Sequence, residues 1–281
     1  STRPYDLISF NVGSRAAGAD SAAVGGHAVL VKPMSEAVRL KQRLEALATS
    51  TAQGPRTVAV VGGGAAGVEV ACSAERLLAT SGRDRQVTIV EAGDAILAGY
   101  SERFRSLAAR VLQRKSIRIL TGGRVESVAA DSLELRGGER LAADLTVWLT
   151  GADAWPIFER SGLRTDPRGF LLTDDSLRSV DDPRVFAVGD CGTLARHPDT
   201  PKAGVYAVRQ GPVLAAALRA VLAGEPAPAY TPQGSFLSLL NTADGRALLR
   251  YGERISWSRW AWWLKDRIDR RFMRRYQSLT S

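Results

Sequence analysis

The sequence predicts an α/β protein organised around a parallel sheet, and two observations carry that expectation. Thr57–Val61 is a continuous apolar run, as expected of a strand covered on both faces. From there to Leu149 strands alternate with helices, a pattern that right-handed crossovers turn into a parallel sheet.

Taken in order, Tyr5–Val12 alternates as a short strand ending at Gly13-Ser14, and His27–Lys32 reads as another. Ser35 and Glu36, with Val38, Leu40, Leu44 and Leu47 behind them, predict a capped helix to about Thr49. Gly54-Pro55 marks a boundary. After the Thr57 strand come a helix over Ala65–Ala79, a buried strand over Gln86–Val90, a helix over Glu102–Lys115 and a strand over Ile117–Leu120. Val125–Val128, Ser132–Leu135 and Arg140–Ala142 alternate around turn residues and predict a small antiparallel meander. Leu145–Leu149 returns as an apolar strand that ends in Thr150-Gly151. Beyond it lie a strand over Arg184–Val188, a long helix over Val205–Leu222 and a boundary at Pro226, Pro228 and Pro232. The tail offers two or three short strands, Phe236–Leu240 and Ala247–Tyr251 among them, and a helix from about Ser258 to Tyr276.

With 281 residues, 45% hydrophobic and 24% charged, the chain has the composition of a globular protein of about two domains. Cys72 and Cys191 are far apart with no C-x-x-C pair, which excludes a disulfide framework and a local dithiol centre and fits a reducing, cytoplasmic compartment. No signal peptide opens the sequence. No apolar run approaches the roughly 18 residues of a membrane span. The formal charge is +9, and from Ala227 onward ten Lys/Arg face four Asp/Glu, a net of +6 beside four of the six tryptophans. Because the excess charge sits in one aromatic-rich terminal segment, nucleic acid is not expected as a partner.

The chemistry begins at Gly62, Gly64 and Gly67, a G-x-G-x-x-G placed directly after a strand and directly before a helix. The three glycines serve a tight turn, close approach of backbone to a pyrophosphate, and close packing of helix on strand. The helix N-terminus adds unpaired N–H groups and partial positive charge. The next strand ends in Glu91, twenty-four residues past Gly67, with no arginine at 92–95. A carboxylate there accepts ribose hydroxyls and repels a 2′-phosphate, so the spacing predicts a Rossmann-like domain that prefers NADH to NADPH.

With these motifs the chain resembles the pyridine nucleotide-disulfide oxidoreductase superfamily, flavoproteins in which an NAD domain is inserted into an FAD domain. Tyr5–Ser14 is similar to the YD-x-L-x-x-x-x-GS strand before the insertion. Thr150-Gly151 is similar to its exit, and Val185–Cys191 (VFAVGDC) to the V-F-A-x-G-D motif at the flavin ribitol. The resemblance covers about residues 1–225. It is nearer to type II NADH dehydrogenases and sulfide:quinone oxidoreductases than to dithiol reductases, and the tail looks like that of the module fused to selenide, water dikinase. It implies four segments. Residues 1–50 are a first part of an FAD domain, 51–150 an NAD(H) domain, 151–225 a second FAD part, and 226–281 a small α+β domain for dimerisation or membrane contact.

The resemblance also implies site residues. Gly62, Gly64, Ala65, Gly67, Glu69, Glu91 and Gly151 would contact NAD(H), with Glu69 near the nicotinamide. Gly13, Gly189, Asp190, Lys202 and Ala203 would contact FAD, with Asp190 on the ribitol and Lys202 toward the flavin pyrimidine. Helix-start preference explains Glu69 equally well, and a solvated surface lysine explains Lys202. Cys191 and Cys72 read as packing residues. His27 and His197 have no metal-ligand company, and no metal is expected.

In the tail, Trp260, Leu264, Ile268 and Phe272 recur at helical spacing amid Lys265, Arg267, Arg270, Arg271, Arg274 and Arg275. That stripe suits an anionic membrane interface, and a helix docked on its own domain or on a homodimer mate explains it at least as well. The function expected is FAD-dependent NADH oxidation, with hydride passed to flavin and on to a quinone or other small acceptor. The alternative is a nucleotide-binding regulatory or interaction module coupled to a partner such as selenide, water dikinase. The family's own first glycine loop, upstream of the Tyr5 strand, has no counterpart in the sequence. On that ground the chain is expected to be a fragment that loses FAD and has little activity alone.

Overall fold

The computed structural model describes residues 3–21, 24, 26–32 and 35–277. The side chains of Ser35, Arg275 and Tyr276, read above as a cap and as part of the basic tail, lie outside that description. Strands β1 (Ile8–Phe10), β2 (Arg15–Ala16) and β3 (Ala28–Leu30) precede helix α1 (Ser35–Thr49). An alternating series follows: β4 (Arg56–Val61), α2 (Ala65–Ala79), β5 (Arg85–Val90), α3 (Glu102–Arg114) and β6 (Ile117–Leu120). The meander β7 (Val125–Val128), β8 (Ser132–Leu135) and β9 (Arg140–Ala142) leads to β10 (Leu145–Trp148). Next come β11 (Ala152–Asp153), α4 (Ile157–Ser161), β12 (Leu171–Thr173), β13 (Val185–Ala187), β14 (Gly192–Leu194) and α5 (Gly204–Leu222). The last elements are β15 (Ser238–Asn241), β16 (Ala247–Tyr251), β17 (Arg254–Ser258) and α6 (Arg259–Gln277).

Two compact units result, one of residues 18–151 with 235–281, the other of residues 1–17 with 152–234. This division differs from the four segments read from the sequence. In the first unit a five-stranded parallel sheet runs in the order β3-β10-β4-β5-β6. Its central strands are buried along almost their whole length, which is why they read as continuous apolar runs. Helix α3 presents Phe104, Ala108, Val111 and Leu112 to the core, and α2 presents Val68, Ala71, Cys72, Ala74 and Leu78. Fully burying a side chain such as Phe104 or Ile89, both wholly inaccessible, contributes about 1.5–3 kcal/mol.

The same core takes in Val29 of β3 and Leu40, Leu44 and Ala48 of α1, a stripe repeating every four residues. Residues 18–50 therefore pack with the glycine-loop domain, against the sequence assignment to a remnant of another one. Val38, assigned above to the inner face of α1, points outward instead. Arg56 is buried because its guanidinium donates to the Ser50 and Ala52 carbonyls at 2.7 and 2.8 Å, which ties down the turn between α1 and β4.

Residues 235–281 also pack with this unit. The antiparallel sheet β15-β16-β17 sends Leu240 and Leu248 into the main core. Ala247, Leu249 and Ala261 form a smaller cluster beneath α6.

In the second unit β1 pairs in parallel with β13, β12 with β14, and β2 antiparallel with β11. Phe158, Leu171, Val185, Ala187 and Cys191 form its core, and the Phe10 and Phe158 rings meet edge-on at 5.2 Å. Pro212 lies inside α5, where it removes the helix bond to the Val208 carbonyl. Val208 is exposed, so water can satisfy that group.

Candidate functional site

In the parallel sheet β5 and β6 lie on one side of β4, and β10 and β3 on the other. The chain reverses direction of travel at β4 and β10, the kind of switch point where open α/β sheets leave a crevice at their carboxyl ends. The backbone ladder runs on past the strands, with Gly62 N–H donating to the Val90 carbonyl and Leu149 N–H to the Val61 carbonyl, both at 2.8 Å. Gly62, Glu91 and the approach to Gly151 thus meet at one edge.

The glycine loop is shaped by exclusion. Gly62 has φ of +116°, and a Cβ there would overlap the Leu149 carbonyl. A Cβ on Gly67 would overlap the Gly62 carbonyl oxygen, so α2 can start this close to the turn only without a side chain. A Cβ on Gly64 would meet nothing within 4 Å. Gly64 is the N-cap of α2, and no side chain caps it. The first turn, including Ala65, therefore offers open, uncapped N–H groups, the donor set that suits a pyrophosphate.

Glu91 is clamped over this loop. One carboxylate oxygen accepts Gly63 N–H at 2.7 Å and the other accepts Gly93 N–H at 2.8 Å. Each oxygen keeps a second lone pair, so the side chain is both loop clamp and acceptor for two further donors such as ribose hydroxyls. Gly63 and Gly93 went unassigned in the sequence reading, because a backbone donor leaves no compositional mark.

Glu69 is engaged elsewhere. Its Oε1 accepts Asn241 N–H of β15 at 2.7 Å and lies 3.5 Å from Lys265 Nζ of α6. The Glu69 carboxylate, which lies past the first turn of α2, thereby anchors the C-terminal sheet and helix, alongside the Lys115–Asp244 pair at 3.0 Å. Cys72, wholly buried, has its thiol pushed up to about 12 by desolvation and is inert packing.

The second unit holds the other predicted residues. Gly189 takes φ of +74° and donates its N–H to Gln210 Oε1 at 2.6 Å. Ser14 donates to Asp190 Oδ2 at 2.9 Å, joining the turn after β1, where Gly13 has φ of +64°, to the turn after β13. Gly189, Asp190, Lys202, Ala203, Tyr206 and Gln210 line one open depression, and Ala203 is the uncapped N-cap of α5. Lys202 turns its amine inward, onto the Gly192 carbonyl and, at 2.8 Å, the Thr193 hydroxyl, under the face of Phe170. Cys191 is buried with its Sγ on the Phe10 and Val188 carbonyls at 3.2 Å, and burial raises its thiol pKa.

Ser14, Asp166, Thr193 and Gln210 complete this site without having been assigned a role. Ser14 had a trace as the last residue of the GS motif, and Gln210 as a polar residue in a helix otherwise rich in Ala, Val and Leu. His197 lines the same depression as Asp190 and Lys202, and among the described residues no group of His, Cys, Asp or Glu is arranged to hold a metal ion.

The pyridine nucleotide-disulphide oxidoreductase family pattern matches residues 13–211. Demethylphylloquinone reductase NdbB of Synechocystis sp. is 32% identical over 232 residues, which are 80% of this chain and 56% of that protein. The type II NADH:quinone oxidoreductase of Haemophilus influenzae is 24% identical, over 89% of this chain and 64% of its own. The chain thus spans less than two thirds of each relative's length. The structure of Plasmodium falciparum NDH2 in complex with NADH superposes with a TM-score of 0.82 at 14% identity, covering 94% of this chain and 73% of that one. That likeness establishes the fold.

Proposed function

Since the chain belongs to the pyridine nucleotide-disulphide oxidoreductase family, whose members bind FAD and NADH, we propose that it serves flavin-dependent oxidation of NADH with reduction of a quinone. The observation that carries the reading is the glycine loop with Glu91 clamped across it, a cradle in which a Cβ at Gly62 or Gly67 would collide with backbone. When bound, the two cofactors supply the hydride donor and acceptor, and the protein supplies position and electrostatics.

In this reading the Ala65–Gly67 N–H groups take the NADH pyrophosphate and the free lone pairs of Glu91 take the adenosine ribose. Gly151 leaves open space beside the sheet edge for the remainder of the nucleotide. Gly13, Gly189, Asp190, Lys202 and Ala203 line the flavin side, with Asp190 oriented by Ser14. Glu69 acts at one remove, by seating β15 and α6 against the loop helix. The names of the Synechocystis and Haemophilus relatives support a quinone as acceptor.

Helix α6 is read as the contact element. Trp260, Trp263, Ile268, Phe272 and Met273 are exposed on it among Arg267, Arg270, Arg271 and Arg274. That surface suits an anionic membrane interface where a quinone resides. No described helix is long and apolar enough to cross a membrane.

The test is anaerobic. The purified chain is loaded with FAD and titrated with NADH while the visible flavin absorbance is followed, then offered a soluble quinone. Bleaching by NADH and recovery on quinone addition is the expected result. Nucleotide binding without bleaching would instead support the second reading, an interaction module, which the exposed face of α6 favours.

A further inference from the structure

In the depression lined by Gly189 and Gln210, Lys202 is held from behind by a chain of hydrogen bonds. Its amine donates to Thr193 Oγ1, and the Thr193 hydroxyl donates to Asp166 Oδ2, each at 2.8 Å. Thr193 is 3% exposed. Asp166 is itself fixed, its Oδ1 accepting Arg168 N–H at 2.8 Å and Phe170 N–H at 3.1 Å. A hydroxyl has one proton to give. Committed to Asp166, it leaves only lone pairs for the amine, and the two bonds polarise each other in one direction.

We propose that Asp166 and Thr193 are positioning residues for Lys202: the carboxylate, acting through the hydroxyl, orients the amine and sets how readily it holds its proton. Asp166 and Arg168 face the amine from the loop before β12, and Asp190 and Cys191 from the turn after β13. Burial pulls the Lys202 ammonium down to about 8, against the upward pull of Asp166. A hydride acceptor seated in this depression gains negative charge on reduction. An ammonium beside it favours that form and a neutral amine does not. Only this last step rests on the flavin reading above; the relay itself does not.

The sequence holds five lysines, so their side-chain signals can be followed one by one by NMR in a ¹³C-lysine-labelled chain. One signal should titrate near 8 and vanish in Lys202→Met. In Asp166→Asn its midpoint should fall by about one unit, because losing a facing carboxylate disfavours the ammonium. Thr193→Val should act in the same direction, and Thr193→Ser, which keeps the hydroxyl, should restore the original midpoint. If Asp166→Asn fails to fold, the Thr193 pair carries the test. A midpoint that stays fixed in folded Asp166→Asn or Thr193→Val overturns the proposal, as does a Lys202 signal titrating only above about 10, the ordinary lysine value. Added FAD separates the two readings: a midpoint that answers to Asp166 but ignores FAD leaves the relay standing and removes the flavin from this pocket.

Discussion

In the unit that carries the glycine loop, close approach is achieved by leaving side chains out. Gly62 and Gly67 sit where a Cβ would strike the Leu149 or Gly62 carbonyl, and the one side chain that matters, Glu91, is gripped by two backbone donors. In the other unit side chains build the site. Gln210 holds Gly189, Ser14 holds Asp190, and Thr193 with Asp166 holds Lys202. A site built by exclusion tolerates no addition, whereas one built by hydrogen bonds should weaken in steps. The two units therefore predict different mutational behaviour.

The largest effect is expected for Gly67→Ala, since the new methyl and the Gly62 carbonyl cannot share their position. NADH affinity by calorimetry should drop at least about 100-fold, the equivalent of roughly 2.8 kcal/mol. An alanine accepted there at full affinity would break the contrast at its strongest point.

Glu91→Gln comes next. The amide offers one acceptor where two backbone donors wait, leaving one N–H unmatched at a cost of about 1–3 kcal/mol. Affinity for NADH should fall about tenfold and for NADPH much less, so the ratio of the two dissociation constants is the measurement. On the other side Gln210→Leu orphans Gly189 N–H, and about 1–3 kcal/mol of stability should be lost. Urea unfolding would read this, while NADH affinity of the glycine loop should stay put.

Lys202 sharpens the comparison through pH. Its folded pKa, about 8, lies below the ordinary lysine value near 10.4. Between those values the unfolded chain binds the extra proton, so this group makes stability rise with pH across the window. Cys72 opposes it. With its folded pKa raised from 9.0 to about 12, the unfolded chain loses a proton first, and stability falls as pH climbs between those limits. Lys202→Met should flatten the rise between pH 8 and 9, where Cys72 contributes little, in denaturation curves taken at stepped pH. A slope that survives the substitution would assign it to another group.

The smallest effect on the fold is expected at α6. Arg271→Ala with Arg274→Ala should change stability by no more than about 0.5 kcal/mol. Flotation with anionic vesicles should nevertheless weaken, and further with added salt. Unaltered flotation would leave α6 as a protein contact.

Much of the architecture was legible because periodic burial writes itself into composition. The helix over Ala65–Ala79 and the meander strands Val125–Val128, Ser132–Leu135 and Arg140–Ala142 stand where alternation and spacing put them. Short pieces such as β2, β11, β12, β14 and α4 were missed, since two to five residues carry no measurable period. The glycines and Glu91 were likewise visible, because the loop demands particular residue types at fixed offsets. Sequence spacing cannot report that Glu69 would be taken by Asn241 and Lys265, well over a hundred positions away.

The sequence by itself determined the strand–loop–helix cradle, since the absence of a Cβ at Gly62 and Gly67 is a local property that any alignment of chain preserves. Only the tertiary structure decided which segments share a core. It drew 18–50 and 235–281 onto the same sheet through Val29, Leu44, Leu240 and Leu248, and it turned Lys202 inward to Thr193 and Asp166. The physical reason is that burial and hydrogen bonding reward proximity in space, and for residues distant in the chain that proximity exists only once the fold has formed.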